Sequence, residues 1–137
     1  GRFQRVIGDP REPDPAGVKR ILLCSGKIYY DLDQARLDRK QDDVAILRLE
    51  QYYPLRDEHL AAALAAYAPA VPLVWVQEEP ENMGAWRFLQ NRHAAVFGRR
   101  SFSGISRDAS ASPATGSLAS HRIEQARIVD QALDTAR

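Results

Sequence analysis

Short apolar runs alternate with amphipathic stretches along most of this chain. Uninterrupted apolar runs of five or six residues are typical of strands that are covered on both faces of a sheet. Three mainly apolar runs, interrupted at most by Arg48 or Pro72, and one more polar stretch predict strands at Arg20 to Cys24, Val44 to Leu49, Val71 to Val76 and Ser101 to Ser106. Apolar residues at helical spacing predict helices at Ile28 to Lys40, Leu55 to Tyr67, Met83 to Phe97 and His121 to Ala136.

Strands that alternate with crossover helices predict the fold class. The expected fold is a three-layer α/β domain with a mostly parallel sheet and helices on both faces. Residues 1–17 contain three prolines and no sustained period, which indicates an extended lead-in segment before a single domain at residues 18–137. Gln77 to Asn82 is predicted as a polar loop, and Asp108 to Ser120 as a loop of small residues.

Composition narrows the function classes. The chain has 137 residues, the size of one domain, and 19 Lys and Arg stand against 18 Asp and Glu. The near-zero balance disfavours a nucleic-acid-binding protein, and a single cysteine excludes an internal disulfide and a cysteine-rich zinc site. The longest apolar run, Leu60 to Ala70, is too short to span a bilayer, and the N-terminus has no apolar core of the kind that signal peptides have. We therefore expect a cytoplasmic protein with no membrane contact.

Candidate chemistry lies at the carboxyl ends of the predicted strands, where ligands collect in sheets of this kind. Lys27 follows Ser25-Gly26 at the start of a helix. This segment is either an anion site or a tight turn, and the spacing favours the turn. Glu78 and Glu79 are either an acid/base pair or, as the pattern favours, residues that cap a helix or pair with a neighbouring chain. Arg107 precedes the small-residue loop and either holds an anion or starts a surface crossover; the two interpretations are nearly balanced.

The remaining reactive residue types form no catalytic or metal-binding pattern. The three histidines lack the spacing of a metal motif, and no nucleophile-elbow sequence is present. Cys24 is predicted to be a small core residue and Trp75 a core residue, whereas Trp86 belongs to the core or to a subunit interface. No catalytic, cofactor-binding or metal-ligating residue is predicted in this chain.

Four segments taken together carry a resemblance. CSGKIYYDL, DDVAILRLEQYYPL, WVQEEPENMGAW and SASPATGS with a following SH closely resemble the C-terminal domain of the thiamine-diphosphate-dependent 2-oxoglutarate dehydrogenases. The resemblance implies a fold like the transketolase C-terminal domain in a homodimer. It also implies an enzyme of the tricarboxylic acid cycle that oxidatively decarboxylates 2-oxoglutarate and transfers succinyl groups to the lipoyl groups of a partner acyltransferase. Thiamine diphosphate and magnesium are expected in the full-length enzyme and not on this chain.

The resemblance also implies two roles for individual residues. Six residues match family motif positions and are expected to be structural or at the dimer interface: Lys27, Glu78, Glu79, Asn82, Gly84 and Trp86. Of these, Glu78, Glu79, Asn82 and Trp86 are the candidate interface residues. The alternative is a regulatory module that binds a nucleotide or acetyl-CoA through Lys27, Gln51 and Arg107. Gln51 matches a glutamine of family members that respond to acetyl-CoA, but the basic cluster that follows it there is replaced here by Leu55-Arg-Asp-Glu-His59. A structural and dimerisation domain is the preferred prediction.

Overall fold

The computed structural model describes residues 6–50, 57–92, 97–108 and 118–136. Within them, strands and helices alternate after a short N-terminal strand. The elements are β1 (Val6–Ile7), β2 (Arg20–Cys24), α1 (Ile28–Asp38), β3 (Val44–Leu49), α2 (Asp57–Leu64), β4 (Leu73–Pro80), α3 (Trp86–Asn91), β5 (Phe102–Arg107) and α4 (Leu118–Leu133). A 3-10 turn at Pro15–Gly17 precedes β2.

The strands form one sheet in the order β1-β3-β2-β4-β5. β1 is antiparallel to β3, and all other neighbours are parallel. The central strand β2 is buried along its whole length, as its uninterrupted apolar sequence predicts. The α/β fold with a mostly parallel sheet is therefore confirmed, and β2 and β3 have the bounds that the sequence predicts.

The core consists of two layers, one on each face of the sheet. Alternate residues of a strand point to opposite faces, so Leu23 belongs to one layer and Leu22 to the other. Residues of α2 and α3 cover the first face, whereas residues of α1 and α4 cover the second. This arrangement gives the three layers that the alternating pattern predicts. No helix among the described residues is long and apolar enough to cross a membrane.

The predicted polar loop after β4 is wrong for Gln77 to Pro80, four of its six residues. β4 runs through Pro80, with an irregularity in its pairing with β5 between Val76 and Pro80. Gln77 lies inside this strand with 2% of its surface exposed, and both polar atoms of its side chain are bonded within the protein. Polarity therefore marks a buried polar contact at this position and not a loop.

Helix ends also differ from the prediction, for reasons of backbone geometry. α3 begins at Trp86 and not at Met83, because Gly84 has φ +69° and breaks the helical path. α1 ends at Asp38, since Lys40 adopts φ +50°. α4 begins at Leu118, three residues before the predicted start.

The N-terminal segment packs against the domain that follows it. Val6 and Ile7 extend the sheet beside β3 in the register Val6 to Leu49 and Ile7 to Arg48. Beyond β1, the carboxylate of Asp9 accepts a hydrogen bond from the backbone N–H of Ile46 in β3 at 2.8 Å. This bond continues the contact between the N-terminal segment and β3 after the strand pairing ends. The division of the chain at residue 17 stays a prediction.

Candidate functional site at the carboxyl end of the sheet

A buried amide organises the turn that connects β4 to α3. Oε1 of Gln77 accepts the indole N–H of Trp75 at 2.8 Å and the backbone N–H of Trp86 at 3.2 Å. Nε2 donates to the backbone carbonyls of Pro80 and Met83, both at 2.8 Å, and of Glu79 at 3.2 Å. One side chain thus satisfies polar groups on both arms of the turn, which we call the Gln77 turn (residues 77–86).

Glycine is required at two positions beside this turn. A Cβ at Gly84 would lie 2.8 Å from Oε1 of Gln77 and 3.0 Å from Oε2 of Glu79. A Cβ at Gly104 would lie 2.8 Å from two ring atoms of Trp86. Contacts this short do not occur in folded proteins unless the neighbouring atoms shift. The side chains of Gln77 and Trp86 therefore pack directly against the backbone of Gly84 and Gly104.

Trp86 is packed into the first core layer. Its ring lies 5.2 Å from the ring of Phe102, centroid to centroid, and Phe102 lies 4.6 Å from Phe97. Aromatic pairs at these separations stabilise beyond the area they bury. Of the two roles predicted for Trp86, the core role is therefore visible in the structure.

Two apolar side chains of the same region face solvent. Met83 is 45% exposed and Phe88 is 37% exposed, and the guanidinium of Arg92 lies 5.5 Å from the Phe88 ring centroid. We call Met83 and Phe88 the turn surface. They are two of the six large apolar side chains that are exposed in the described part of the chain, together with Tyr30, Leu37, Leu118 and Ile123.

A polar network joins the turn to the two helices of the other layer. Nζ of Lys27 donates to Oε1 of Glu78 at 2.7 Å, and Nε2 of Gln125 donates to the same oxygen at 3.0 Å. Nε2 of Gln125 also donates to Oδ2 of Asp31 at 2.7 Å. The hydrogen bond with Glu78 raises the pKa of the Lys27 ammonium. The predicted anion residue Lys27 and the predicted interface residue Glu78 are therefore direct partners.

The other predicted site residues lie in different settings. Glu79 and Asn82 are exposed on the Gln77 turn, as an interface role requires. Arg107 ends β5 with 8% of its surface exposed, and its carbonyl accepts the backbone N–H of Glu81 at 2.9 Å. Gln51 lies outside the described residues. Their predicted roles stay predictions.

Cys24 is a core residue, and the thiol is poorly suited to nucleophilic chemistry. Burial raises its pKa to about 12, which leaves almost no thiolate at neutral pH. Among the described residues, no group of three or more His, Cys, Asp or Glu is arranged to hold a metal ion.

Sequence reasoning missed two features of functional weight. Gln77 was assigned to a loop, although a glutamine directly after four apolar strand residues is a signal for a buried amide. The second feature is an ionic cluster in which Arg36 donates to both Asp9 and Asp33, and Arg11 donates twice to Asp33. Arg36 follows Ile28 and Leu32 at four-residue spacing on the buried face of α1, and that spacing was the available signal.

These features define a class of protein: a three-layer α/β domain whose central sheet ends in a turn locked by a buried amide. The chain matches the family described as "2-oxoglutarate dehydrogenase C-terminal" over residues 1–133. The chain belongs to that family.

Individual relatives agree with this assignment. The chain is 46% identical over 134 residues to the "2-oxoglutarate dehydrogenase E1 component" of Haemophilus influenzae. The aligned residues make up 97% of this chain and 14% of that protein. It is 42% identical over 135 residues to the protein of the same description from Cupriavidus necator, with 96% and 14% covered. It is also 42% identical over 137 residues to the "Multifunctional 2-oxoglutarate metabolism enzyme" of Mycolicibacterium vanbaalenii, with 96% and 11% covered. The chain thus spans a small part of the length of the curated relatives it matches.

Proposed function

We propose that this domain is the structural and subunit-contacting domain of a homodimeric 2-oxoglutarate dehydrogenase. In this proposal the enzyme is cytoplasmic, oxidatively decarboxylates 2-oxoglutarate, and passes succinyl groups to the lipoyl groups of an acyltransferase. Thiamine diphosphate and magnesium supply the decarboxylation chemistry elsewhere in the enzyme, and no step of that chemistry is assigned to residues of this chain.

The observation that carries the proposal is the turn surface. The Gln77 amide is buried and Trp86 packs against the core, yet Met83 and Phe88 face solvent. Burying such side chains against a partner removes apolar surface from water at about 25 cal/mol per Å². Because the Gln77 turn is already ordered before contact, less conformational entropy is lost on association.

The test is the concentration dependence of association of the 137-residue chain, measured by sedimentation equilibrium. Phe88→Glu and Met83→Glu each place a charge on the turn surface without touching the core, and each is expected to weaken dimerisation at least tenfold. Leu37→Glu is the control, since Leu37 is an apolar residue on α1 that is 51% exposed. Trp86→Ala is a poorer probe, because it also removes core packing.

Two results would contradict the proposal. The first is a wild-type chain that stays monomeric up to the highest soluble concentration. The second is a pair of turn-surface variants that associate as tightly as wild type and the Leu37→Glu control.

The alternative is a regulatory domain that binds acetyl-CoA or a nucleotide near Lys27. In its favour, the side chain of Lys27 is 76% exposed, and Lys27 is the N-cap residue of α1 and makes no side-chain capping bond. Against it, a phosphate would have to displace the carboxylate of Glu78, which already contacts the ammonium at 2.7 Å. A ligand that binds only the folded state stabilises it by about 2.7 kcal/mol at a hundredfold excess over Kd. Thermal unfolding with and without acetyl-CoA and AMP therefore tests this alternative, and an unchanged midpoint contradicts it.

A further inference from the structure

We propose that the outer edge of β3 and the adjoining side of α1 form a docking site for an extended segment that carries an aspartate two residues before an arginine. In this structure the site holds residues 6–12 of the same chain, which we call the strap. The inference goes beyond the proposed function and does not depend on dimerisation, because the strap lies beside β3 whereas the turn surface follows β4.

The edge of β3 that faces away from β2 has backbone groups that require partners. β1 pairs with this edge at the last two residues of β3. Before them, the backbone N–H of Ile46 donates to Oδ2 of Asp9 at 2.8 Å. The carbonyl of Val44 accepts a hydrogen bond from Nη1 of Arg36 at 3.1 Å. Two side chains thus take the place of a neighbouring strand, at an edge of the kind that binds extended segments.

The strap and α1 carry opposite charges in a crossed arrangement. Asp9 of the strap accepts hydrogen bonds from both Nη1 and Nη2 of Arg36, the second at 3.1 Å. Arg11 of the strap donates through Nε and Nη2 to the two carboxylate oxygens of Asp33, at 2.7 and 2.9 Å. Two-bond pairs of this kind fix geometry as well as supplying energy. A segment with the two charges in the reverse order would place like charges together, so the site selects both sequence and direction.

A turn within the strap presents the two charged side chains together. The backbone N–H of Glu12 donates to the carbonyl of Asp9 at 3.1 Å, and Oδ1 of Asp9 accepts the backbone N–H of Arg11 at 3.0 Å. Pro10 occupies the second position of this turn, where its fixed φ is favourable. These bonds lie inside the strap, so a short peptide has the groups that it needs to form the same turn.

The strap is held by few buried groups. Asp9 is its one buried residue, and Val6 packs against the first core layer while staying partly exposed. Segments with few buried apolar contacts open at a lower free-energy cost than the core does. When the strap leaves, the buried guanidinium of Arg36 loses one of its two carboxylate partners. An incoming aspartate restores that partner, which is why the charge order of the segment decides recognition.

The experiment supplies the strap as a separate molecule. A fluorescent peptide of residues 6–15 is titrated with the 137-residue chain carrying Asp9→Ala and Arg11→Ala, and binding is measured by anisotropy. The matched control is a peptide of the same composition in which Asp9 and Arg11 are exchanged. We expect the double variant to bind the natural peptide at least tenfold more tightly than the exchanged peptide. We also expect it to bind the natural peptide at least tenfold more tightly than the wild-type chain does, because the wild-type strap competes for the site.

Two results would overturn the docking site. One is a double variant, shown to be folded by urea titration, that binds neither peptide. The other is equal affinity for the two peptides, because recognition would then not depend on the order of the charges.

A second measurement decides if the double variant does not fold. Hydrogen exchange of the Ile46 amide, which donates to Asp9, reports on opening of the strap in the wild-type chain and in Arg11→Ala. Exchange at least tenfold faster than that of the β2 amides, and faster still in Arg11→Ala, supports a strap that leaves its site while the domain stays folded. Exchange at the rate of the β2 amides in both proteins would refute the proposal, since the strap would then open only when the whole domain unfolds.

Discussion

At the scale of single residues, burial governs the chemistry of Cys24. The side chain is fully buried in β2, and its Sγ lies 3.8 Å from the carbonyl oxygen of Leu47. Burial raises the pKa of the thiol to about 12, whereas an ordinary thiol titrates near 8.5. An unfolded chain would therefore react readily at pH 8 and the folded chain would not.

The expected result is that a disulfide reagent labels Cys24 at pH 8 only after denaturation. The measurement is the absorbance released by the reagent with and without guanidinium. Rapid stoichiometric labelling of the native chain would show that the thiol is accessible.

Gly104 illustrates how a missing side chain can be a packing requirement. Gly104→Ala places a methyl group 2.8 Å from the rigid indole ring of Trp86, so the ring or the strand must shift. We expect a loss of about 1–3 kcal/mol in the free energy of unfolding, measured by urea titration. Gly17→Ala is the control, because nothing lies within 4 Å of its Cβ position. Equal stability of the two variants would contradict the packing argument.

At the scale of elements, an arginine holds the connection between α2 and β4. Nη1 of Arg100 donates to the carbonyls of Ala68 at 2.8 Å and Val71 at 2.7 Å, and Nη2 donates to the carbonyl of Tyr67 at 3.2 Å. These three carbonyls lie beyond the end of α2 at Leu64, and a guanidinium fork can serve several of them at once. At α4 an arginine serves the helix end itself, where Nη1 of the buried Arg20 donates to two carbonyls of the last turn.

Arg100→Ala is expected to lower the free energy of unfolding by about 1–3 kcal/mol, because it leaves part-buried carbonyls without their donor. Arg99→Ala, at the exposed neighbouring residue, is expected to change it by less than about 0.5 kcal/mol. Urea titration of both variants measures the difference. A similar cost for the two would assign the effect to net charge and not to the carbonyls between α2 and β4.

At the scale of the whole molecule, the ionic cluster joins the N-terminal segment to α1. Asp9 lies in that segment and contacts both Arg36 of α1 and the backbone of β3. The hydrogen bond from Arg11 and that from Arg36 lower the pKa of Asp33 to about 2, although burial acts in the opposite direction. Since the folded pKa lies below the ordinary value of 3.8, Asp33 stabilises the fold above about pH 4, and this stabilisation is lost as the pH falls towards 2.

Acid titration of stability tests this coupling. Between pH 7 and pH 2, the wild type should lose about 2 kcal/mol that Asp33→Asn does not lose, in urea titrations at each pH. Asp42→Asn, at an exposed aspartate, is expected to keep the wild-type pH dependence. If Asp33→Asn kept it as well, the cluster would not couple to folding.

Much of the fold could be predicted from the sequence, because the local pattern of apolar and polar residues indicates which positions are buried. β2 and β3 are covered on both faces, so their apolar runs begin and end where the strands do. The ends of α1 and α3 depend on the left-handed conformations of Lys40 and Gly84, which hydrophobic periodicity does not encode. The sequence predicts a loop instead of a strand at Gln77, because a polar residue type does not show whether its hydrogen-bond partner is water or protein.

The sequence by itself determined the α/β class, the two central strands and the family, because each depends on residues that are close along the chain or on motifs read in order. Only the tertiary structure decided which charges and amides meet. Asp9 pairs with Arg36 across 27 positions, and Lys27 pairs with Glu78 across 51. The physical reason is that the hydrophobicity of a residue and its near neighbours indicates whether the residue is buried. The partner of a polar side chain, in contrast, depends on which distant segments of the chain come together in the fold.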